Sequence, residues 1–137
     1  MVPTLFVVAD QSEAHLYKVG GTPVHPTLEA IDALEHPEAR AHLDPSESSS
    51  AHLHVDTSRA DAEEERRFVR ELVERLRKGQ SEGEFRKLYI AAPANFVGRL
   101  RKHYGSLSRC VEREIIGDYT RQDARTLTKR FAKWSAD

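Results

Sequence analysis

Two histidines and a carboxylate alternate along one short segment, His52-Leu53-His54-Val55-Asp56. On a β-strand these three side chains would lie on one face, which is the arrangement that a zinc site needs. No further His or Cys follows at ligand spacing, and the surrounding residues are polar. The pattern therefore favours a cluster of surface histidines, and we predict no metal ligand and no cofactor.

Three acidic residues, Asp10, Glu71 and Asp118, are the residue type that a two-metal nuclease centre uses. Each also has a common structural use, because Asp10 and Asp118 lie in turns and Glu71 lies among the charges of a helix surface. The sequence contains no Gly-x-Ser-x-Gly, Walker or dinucleotide-binding glycine pattern. These observations favour a binding module over an enzyme, and we predict no catalytic residue.

Basic residues are concentrated in the C-terminal part of the chain. Residues 1–83 carry nine Lys/Arg and sixteen Asp/Glu, whereas residues 84–137 carry twelve and six. Such a basic region can contact a phosphate backbone. The candidate RNA-binding residues are Arg99, Arg101, Lys102, His103 and Arg109. The alternative is that these charges form the ordinary solvated face of a helix.

The strands that must position these residues follow from the hydrophobic pattern. The length of 137 residues fits a single domain, residues 1–137. Runs of β-forming residues bounded by turns predict an antiparallel meander followed by two later strands. The five predicted strands lie at 5–9, 14–19, within 24–34, at 85–92 and at 110–116. Because helices separate the later strands, these are expected to pair in parallel through right-handed crossovers.

Three amphipathic helices complete the predicted fold. Asp61 is expected to cap the first helix and Gly79 to end it, and Asn95 is expected to cap the second. Thr120 and Asp123 resemble a capping box at the start of the third. The order β-β-β-α-β-α-β-α predicts an α/β fold with a ribonuclease-H-like mixed sheet, in three layers with the helices packed on the sheet.

The hydrophobic pattern disappears between the third predicted strand and the first predicted helix. Residues 40–60 include the polar run Asp44-Pro45-Ser46-Glu47-Ser48-Ser49-Ser50. A stretch this long without a pattern is usually functional or disordered. We therefore predict a flexible loop over residues 40–60.

The N-terminal segment carries no basic leader, and Asp10 interrupts its apolar run after a few residues. Neither a signal peptide nor a membrane span fits this pattern. The single Cys110 cannot form an internal disulfide, so nothing indicates an oxidising compartment. We expect a cytoplasmic protein that does not bind membranes.

Several segments, in this order, resemble the bacterial family of host attachment proteins, often described as required for attachment to host cells. They are LEHPEAR at 34–40, ERRFVREL at 65–72, FRKLYIAAP at 85–93, FVGRLRK at 96–102 and GDYT at 117–120. The resemblance covers nearly the whole chain. That family is in turn similar to the middle domain of archaeal and eukaryotic class-1 peptide release factors and of the ribosome-rescue factor Pelota.

The resemblance implies a non-catalytic module that binds the ribosome, tRNA or structured RNA. In release factors, the loop before the first helix carries a Gly-Gly-Gln tripeptide that enters the peptidyl-transferase centre. The corresponding loop here is 40–60, and it contains no Gly-Gly-Gln, so hydrolysis of peptidyl-tRNA is not expected. The loop residues that could probe such a partner are Arg40, His42, His52, His54 and Arg59. The alternative is an attachment-related factor that acts through a protein partner.

Overall fold

The structure, a computed structural model, describes residues 2–35 and 54–136. Within them it confirms the predicted mixed α/β architecture, with five strands and three α-helices. The strands are β1 (Thr4–Ala9), β2 (Glu13–Gly21), β3 (Pro26–Glu35), β4 (Lys87–Ala92) and β5 (Val111–Ile116). The helices are α1 (His54–Ser81), α2 (Ala94–Arg101) and α3 (Ala124–Ala136), with a short 3₁₀ helix at Gly105–Arg109.

The five strands form one mixed sheet in the order β3-β2-β1-β4-β5. The first three strands pair antiparallel, as their short connections require, and β1, β4 and β5 pair in parallel. Every residue of β1 is buried. This agrees with its continuous apolar sequence, which is typical of a strand covered on both faces.

The two faces of the sheet carry separate hydrophobic clusters. Leu5 and Val7 of β1 pack with α1 and α2 on one face. Phe6 and Val8 alternate with them and pack with α3 on the other face. Each fully buried Leu or Phe stabilises the fold by roughly 1.5–3 kcal/mol. Because the sheet separates α1 and α2 from α3, the outer surfaces of the two helix layers point in opposite directions.

Helix α1 is longer at both ends than the sequence pattern indicates. It begins at His54, so the prediction that residues 54–60 belong to a loop is wrong. Among the helix residues whose burial is described, 62–81, the first buried one is Phe68, and the apolar stripe from Phe68 to Leu76 packs on the sheet. Acidic residues near the N-terminus of a helix stabilise it by complementing the positive end of its dipole. The rest of the predicted loop, 40–53, lies outside the described residues.

The C-terminus of α1 ends in a Schellman motif at Gly83, not at Gly79. The backbone N–H of Glu84 donates to the carbonyl of Gly79 at 2.8 Å, and the N–H of Gly83 donates to Gln80 at 3.2 Å. Gly83 has a φ of 74°, which the left-handed cap residue needs. Gly79 lies within the helix, and a Cβ there would approach Oε1 of Glu84 to 2.6 Å.

The other two helices also begin at residues different from the predicted caps. Pro93 precedes α2 in an extended conformation, so Asn95 lies inside the helix and does not cap it. At α3 the backbone N–H of Thr126 donates to the Asp123 carboxylate at 2.8 Å, which makes Asp123 the N-cap. Thr120 instead donates its hydroxyl to Asp118 at 2.9 Å.

Candidate functional site

Helices α1 and α2 lie side by side on one face of the sheet and form a basic groove between them. Their inner surfaces meet at Phe68 and Phe96, whose ring centroids are 6.0 Å apart. The groove is a cavity of about 260 Å³. It is lined by Ala62, Arg66, Val69, Arg99, Lys102 and His103, and we call it the α1–α2 groove.

Helical spacing explains why these six residues meet. Ala62, Arg66 and Val69 follow one another at intervals of four and three residues, so they share one side of α1. Arg99 and Lys102 have the same relationship at the end of α2. Val69 is buried against the core, whereas the basic side chains are exposed at the rim. The result is a shallow apolar floor with cationic edges.

The end of α2 is fixed against α1 by a hydrogen bond next to the groove. A guanidinium N–H of Arg77 in α1 donates to the backbone carbonyl of His103 at 2.6 Å. The following Gly105 has a φ of 53°, and a Cβ there would lie 2.6 Å from the Arg77 guanidinium. This contact holds the backbone of His103 in place beside α1.

One carboxylate lies beside the basic residues of the groove. Glu65 of α1 forms an ion pair with Arg99 of α2. The Arg99 side chain is 44% exposed and that of Glu65 is 21% exposed. Arg99 is therefore held by α1 while it still reaches solvent. Arg66, Lys102 and His103 add further cationic or proton-bearing groups, which can donate hydrogen bonds to an anion.

Arg101 belongs to a different contact from its neighbours on α2. Its Nε lies 2.9 Å from Oε1 and 3.1 Å from Oε2 of Glu114 in β5. The buried Tyr104 donates its hydroxyl to the same carboxylate at 2.7 Å. The hydrogen bond from Arg101, with a smaller one from Tyr104, lowers the pKa of Glu114 although partial burial opposes the shift. Burial, followed by this hydrogen bond, strongly raises the pKa of Tyr104.

The structure brings only some of the candidate RNA-binding residues together. Arg99, Lys102 and His103 line the α1–α2 groove. Arg101 is paired with Glu114 outside it, and Arg109 ends the 3₁₀ helix at an exposed position that is not part of the lining. The sequence pattern did not indicate that Arg66 of α1 lines the same groove, and it did not identify Glu65 as a partner of Arg99.

The candidate probe residues lie at or beyond the limits of the described chain. Arg40, His42 and His52 lie outside the described residues. His54 and Arg59 belong to the first turns of α1, so their backbone is helical and not part of a loop. The backbone at His54 and Asp56 is helical and not a strand.

The acidic residues considered for a nuclease centre do not form one. Oδ1 of Asp10 accepts hydrogen bonds from the backbone N–H groups of Ser12 and Glu13 at 2.7 and 2.9 Å, which is the use of a turn residue. The Thr120 hydroxyl lies 3.2 Å from Oδ2 of Asp10 and 2.9 Å from Asp118. Within the described ranges, no group of three or more His, Cys, Asp or Glu could hold a metal ion.

Comparison with known proteins gives one family. A family model described as "Protein required for attachment to host cells" matches residues 5–131. The match begins at the second residue of β1, includes the other four strands and ends within α3. No curated protein matches the chain. Among the described helices, none is long and apolar enough to cross a membrane.

Proposed function

This chain belongs to the family of proteins described as required for attachment to host cells, and we propose that it is a non-catalytic module that binds the ribosome or structured RNA. The α1–α2 groove is the binding surface in this proposal. The single observation that carries it is the convergence of Arg66, Arg99 and Lys102 from two helices on one small cavity.

The chemistry of the groove fits a phosphate group. Guanidinium and ammonium groups donate charge-assisted hydrogen bonds to phosphate oxygens, and Arg can do so through two N–H groups at once. The basic residues that line this cavity of about 260 Å³ are exposed, so a backbone phosphate can reach them from solvent. Glu65 lowers the net positive charge but orients Arg99 across the groove.

The sheet supports the same proposal at the level of the fold. We interpret the order β3-β2-β1-β4-β5, with one antiparallel half and one parallel half, as a ribonuclease-H-like sheet. This is the sheet expected for the middle domain of class-1 release factors and Pelota, which the sequence resembles. In this proposal the module acts in the cytoplasm on the translation machinery.

The proposal excludes the hydrolytic reaction of release factors. That reaction depends on a Gly-Gly-Gln tripeptide, and the 137 residues contain none. Gly20-Gly21 is followed by Thr22, and it ends β2 on the way into a turn. Binding without hydrolysis is therefore the activity that the proposal assigns.

The test is RNA binding as a function of salt concentration. The wild-type protein and the variant Arg66→Gln/Lys102→Gln are titrated against fluorescently labelled tRNA between about 50 and about 200 mM KCl. The variant is expected to bind more weakly, and the slope of log K against log salt is expected to fall by about 2, one for each lost phosphate contact. The same two proteins are then compared for co-sedimentation with ribosomes.

The matched control is Arg70→Gln/Lys78→Gln. It removes the same charge from exposed positions of α1 outside the groove. Equal losses of binding in the two variants would mean that net charge, and not the groove, determines affinity. Absence of salt-sensitive binding in the wild-type protein would refute the proposal outright.

The family description favours a second candidate function, an attachment-related factor that acts through a protein partner. It predicts that a captured partner stays bound after nuclease treatment, whereas partners held through RNA are released. It also allows the protein to be found outside the cytoplasm. A pull-down with and without nuclease, together with cell fractionation, therefore separates the two candidates.

A further inference from the structure

Helix α3 presents a basic surface that the α1–α2 groove does not include. Its thirteen residues contain four Lys/Arg and no Asp or Glu. The four cations are Arg125, Lys129, Arg130 and Lys133, and all are exposed. The charge of this helix is therefore uniform in sign along its whole length.

The spacing of these cations gives a regular array. Arg125, Lys129 and Lys133 recur at intervals of four residues, so they lie on one side of the helix about 6 Å apart along its axis. A nucleic-acid backbone is also a regular row of charges, one on each nucleotide. Each step of four residues also rotates by about 40° around the helix axis, so the three cations form a gently winding row on one side of α3. Such a row can meet several phosphates of one strand, whereas a single anion would need only one of them.

The helix that carries this row is fixed by its inner face. Phe131 is 2% exposed, and its ring centroid lies 4.9 Å from that of Phe6 and 5.0 Å from that of Tyr89. Leu127 is 1% exposed in the same cluster. Because these apolar side chains are already buried on the sheet, α3 has no apolar face to insert into a lipid bilayer, as an interfacial membrane helix would need.

The contacts of the basic side chains leave their charges available. In the described part of the chain, no ion pair involves Arg125, Lys129 or Lys133. The guanidinium carbon of Arg130 lies 5.4 Å from the centroid of the Tyr119 ring, a cation–π contact that orients the side chain and keeps its charge. The Asp123 carboxylate precedes the helix and accepts the backbone N–H of Thr126 as the N-cap, which lowers its pKa. The charges of Arg125 and Lys129 lower this pKa further, but neither side chain forms an ion pair with Asp123.

From this arrangement we propose that the outer face of α3 is a second surface for a nucleic-acid backbone, separate from the α1–α2 groove. The choice of RNA as the nucleic acid rests on the proposed function, whereas the surface itself does not. The groove and α3 lie on opposite faces of the sheet. One straight duplex therefore cannot contact both at once, and the protein binds two RNA segments.

The test uses the full chain and a short RNA duplex. The variant Arg125→Gln/Lys129→Gln/Lys133→Gln is compared with wild type for affinity from about 50 to about 200 mM KCl. Its salt slope is expected to be lower by about 2–3. The second measurement mixes donor-labelled and acceptor-labelled duplexes, and energy transfer between them reports bridging. Wild type is expected to bridge the duplexes and the α3 variant to bind without bridging.

The matched control is Lys18→Gln/Arg70→Gln/Lys87→Gln, which removes three exposed cations from β2, α1 and β4. It is expected to bridge as wild type does. The inference would be overturned if the α3 variant had the same salt slope as this control and bridged the two duplexes as the control does. Binding of the wild-type protein to anionic phospholipid vesicles, lost in the α3 variant while RNA binding persists, would also overturn it. An unaffected Arg66→Gln/Lys102→Gln variant would refute only the role of the groove.

Discussion

Arg101 of α2 and Glu114 of β5 form a two-point ion pair, with the Arg101 Nε lying 2.9 and 3.1 Å from the two carboxylate oxygens. One residue along a helix corresponds to a rotation of about 100°. Arg101 therefore points towards β5, whereas Arg99 and Lys102 line the α1–α2 groove. A basic segment that looks continuous in the sequence thus divides into one cation that is paired with the sheet and two that line the groove, where Arg99 is paired with Glu65 of α1.

Replacing Tyr104 by Phe is expected to destabilise the protein by about 1–2 kcal/mol, because a buried hydroxyl that donates to a carboxylate is lost. The Tyr104 side chain is 6% exposed, and its hydroxyl lies 2.7 Å from Glu114. Urea denaturation at neutral pH measures the change. Tyr119→Phe is the control, since Tyr119 contributes ring contacts to Trp134 and Arg130 that Phe preserves in shape. Equal losses in both variants would contradict a specific role for the Tyr104–Glu114 hydrogen bond.

Stability is expected to fall with acid in a way that depends on Glu114. Its pKa in the folded protein lies below the ordinary value of 4.5, chiefly because Arg101 hydrogen-bonds to the carboxylate. A depressed pKa means that the unfolded chain takes up the proton first, so the stabilisation is complete above about pH 4.5 and is lost as pH falls through the folded pKa.

The check is the difference in free energy of unfolding between wild type and Glu114→Gln at several pH values. This difference is expected to be constant near neutral pH and to shrink below about pH 4.5. In the variant Arg101→Gln, the loss of stability on acidification is also expected to be smaller than in wild type. This variant removes the hydrogen bond that chiefly lowers the pKa of Glu114. A difference that stays constant down to the acid transition would contradict the assignment.

Two glycine substitutions are expected to change stability in opposite directions. Gly83→Ala places a Cβ at a φ of 74° in the Schellman motif, and it should cost about 1 kcal/mol. Gly98→Ala lies inside α2, where a Cβ meets nothing within 4 Å, and it should stabilise by about 0.5–1 kcal/mol. Thermal or urea denaturation of both variants tests the pair. Destabilisation by Gly98→Ala would contradict the finding that a Cβ at this position has no neighbour within 4 Å.

The sequence predicts the fold best where a residue pattern is compatible with only one kind of secondary structure and burial. The apolar run of β1 indicates burial on both faces, and the stripe from Phe68 to Leu76 indicates a packed helix. The helix ends were harder to predict, because several neighbouring short polar residues could each serve as the N-cap. Thr120 and Asp123 are both suitable caps, and the path of the backbone decides that Asp123 accepts the N–H of Thr126.

The candidate site could be predicted only in part, because it is built from two helices that are distant in sequence. The basic composition of α2 indicated Arg99, Lys102 and His103. Arg66 belongs to α1, and its direction is defined only once Phe68 packs against Phe96. The partner of Arg101 is thirteen residues away on a strand, so no local spacing could identify it.

Replacing Glu65 by Gln is expected to strengthen RNA binding by the α1–α2 groove. In the wild-type protein Glu65 neutralises Arg99 through their ion pair. A phosphate must therefore compete with this carboxylate for the guanidinium group of Arg99. The amide of Gln keeps the size and one hydrogen-bond acceptor but removes the charge. Measured with labelled tRNA, the variant should bind several-fold more tightly than wild type at low salt, with a steeper salt slope because one more cation is available.

Glu63→Gln is the matched control, because it removes one negative charge from an exposed position of the same helix turn and does not line the groove. General reduction of negative charge would strengthen binding equally in both variants. A specific effect of Glu65 leaves Glu63→Gln close to wild type. Weaker binding in Glu65→Gln would show that the carboxylate acts mainly by orienting Arg99, and that the loss of this orientation outweighs the gain of a free charge.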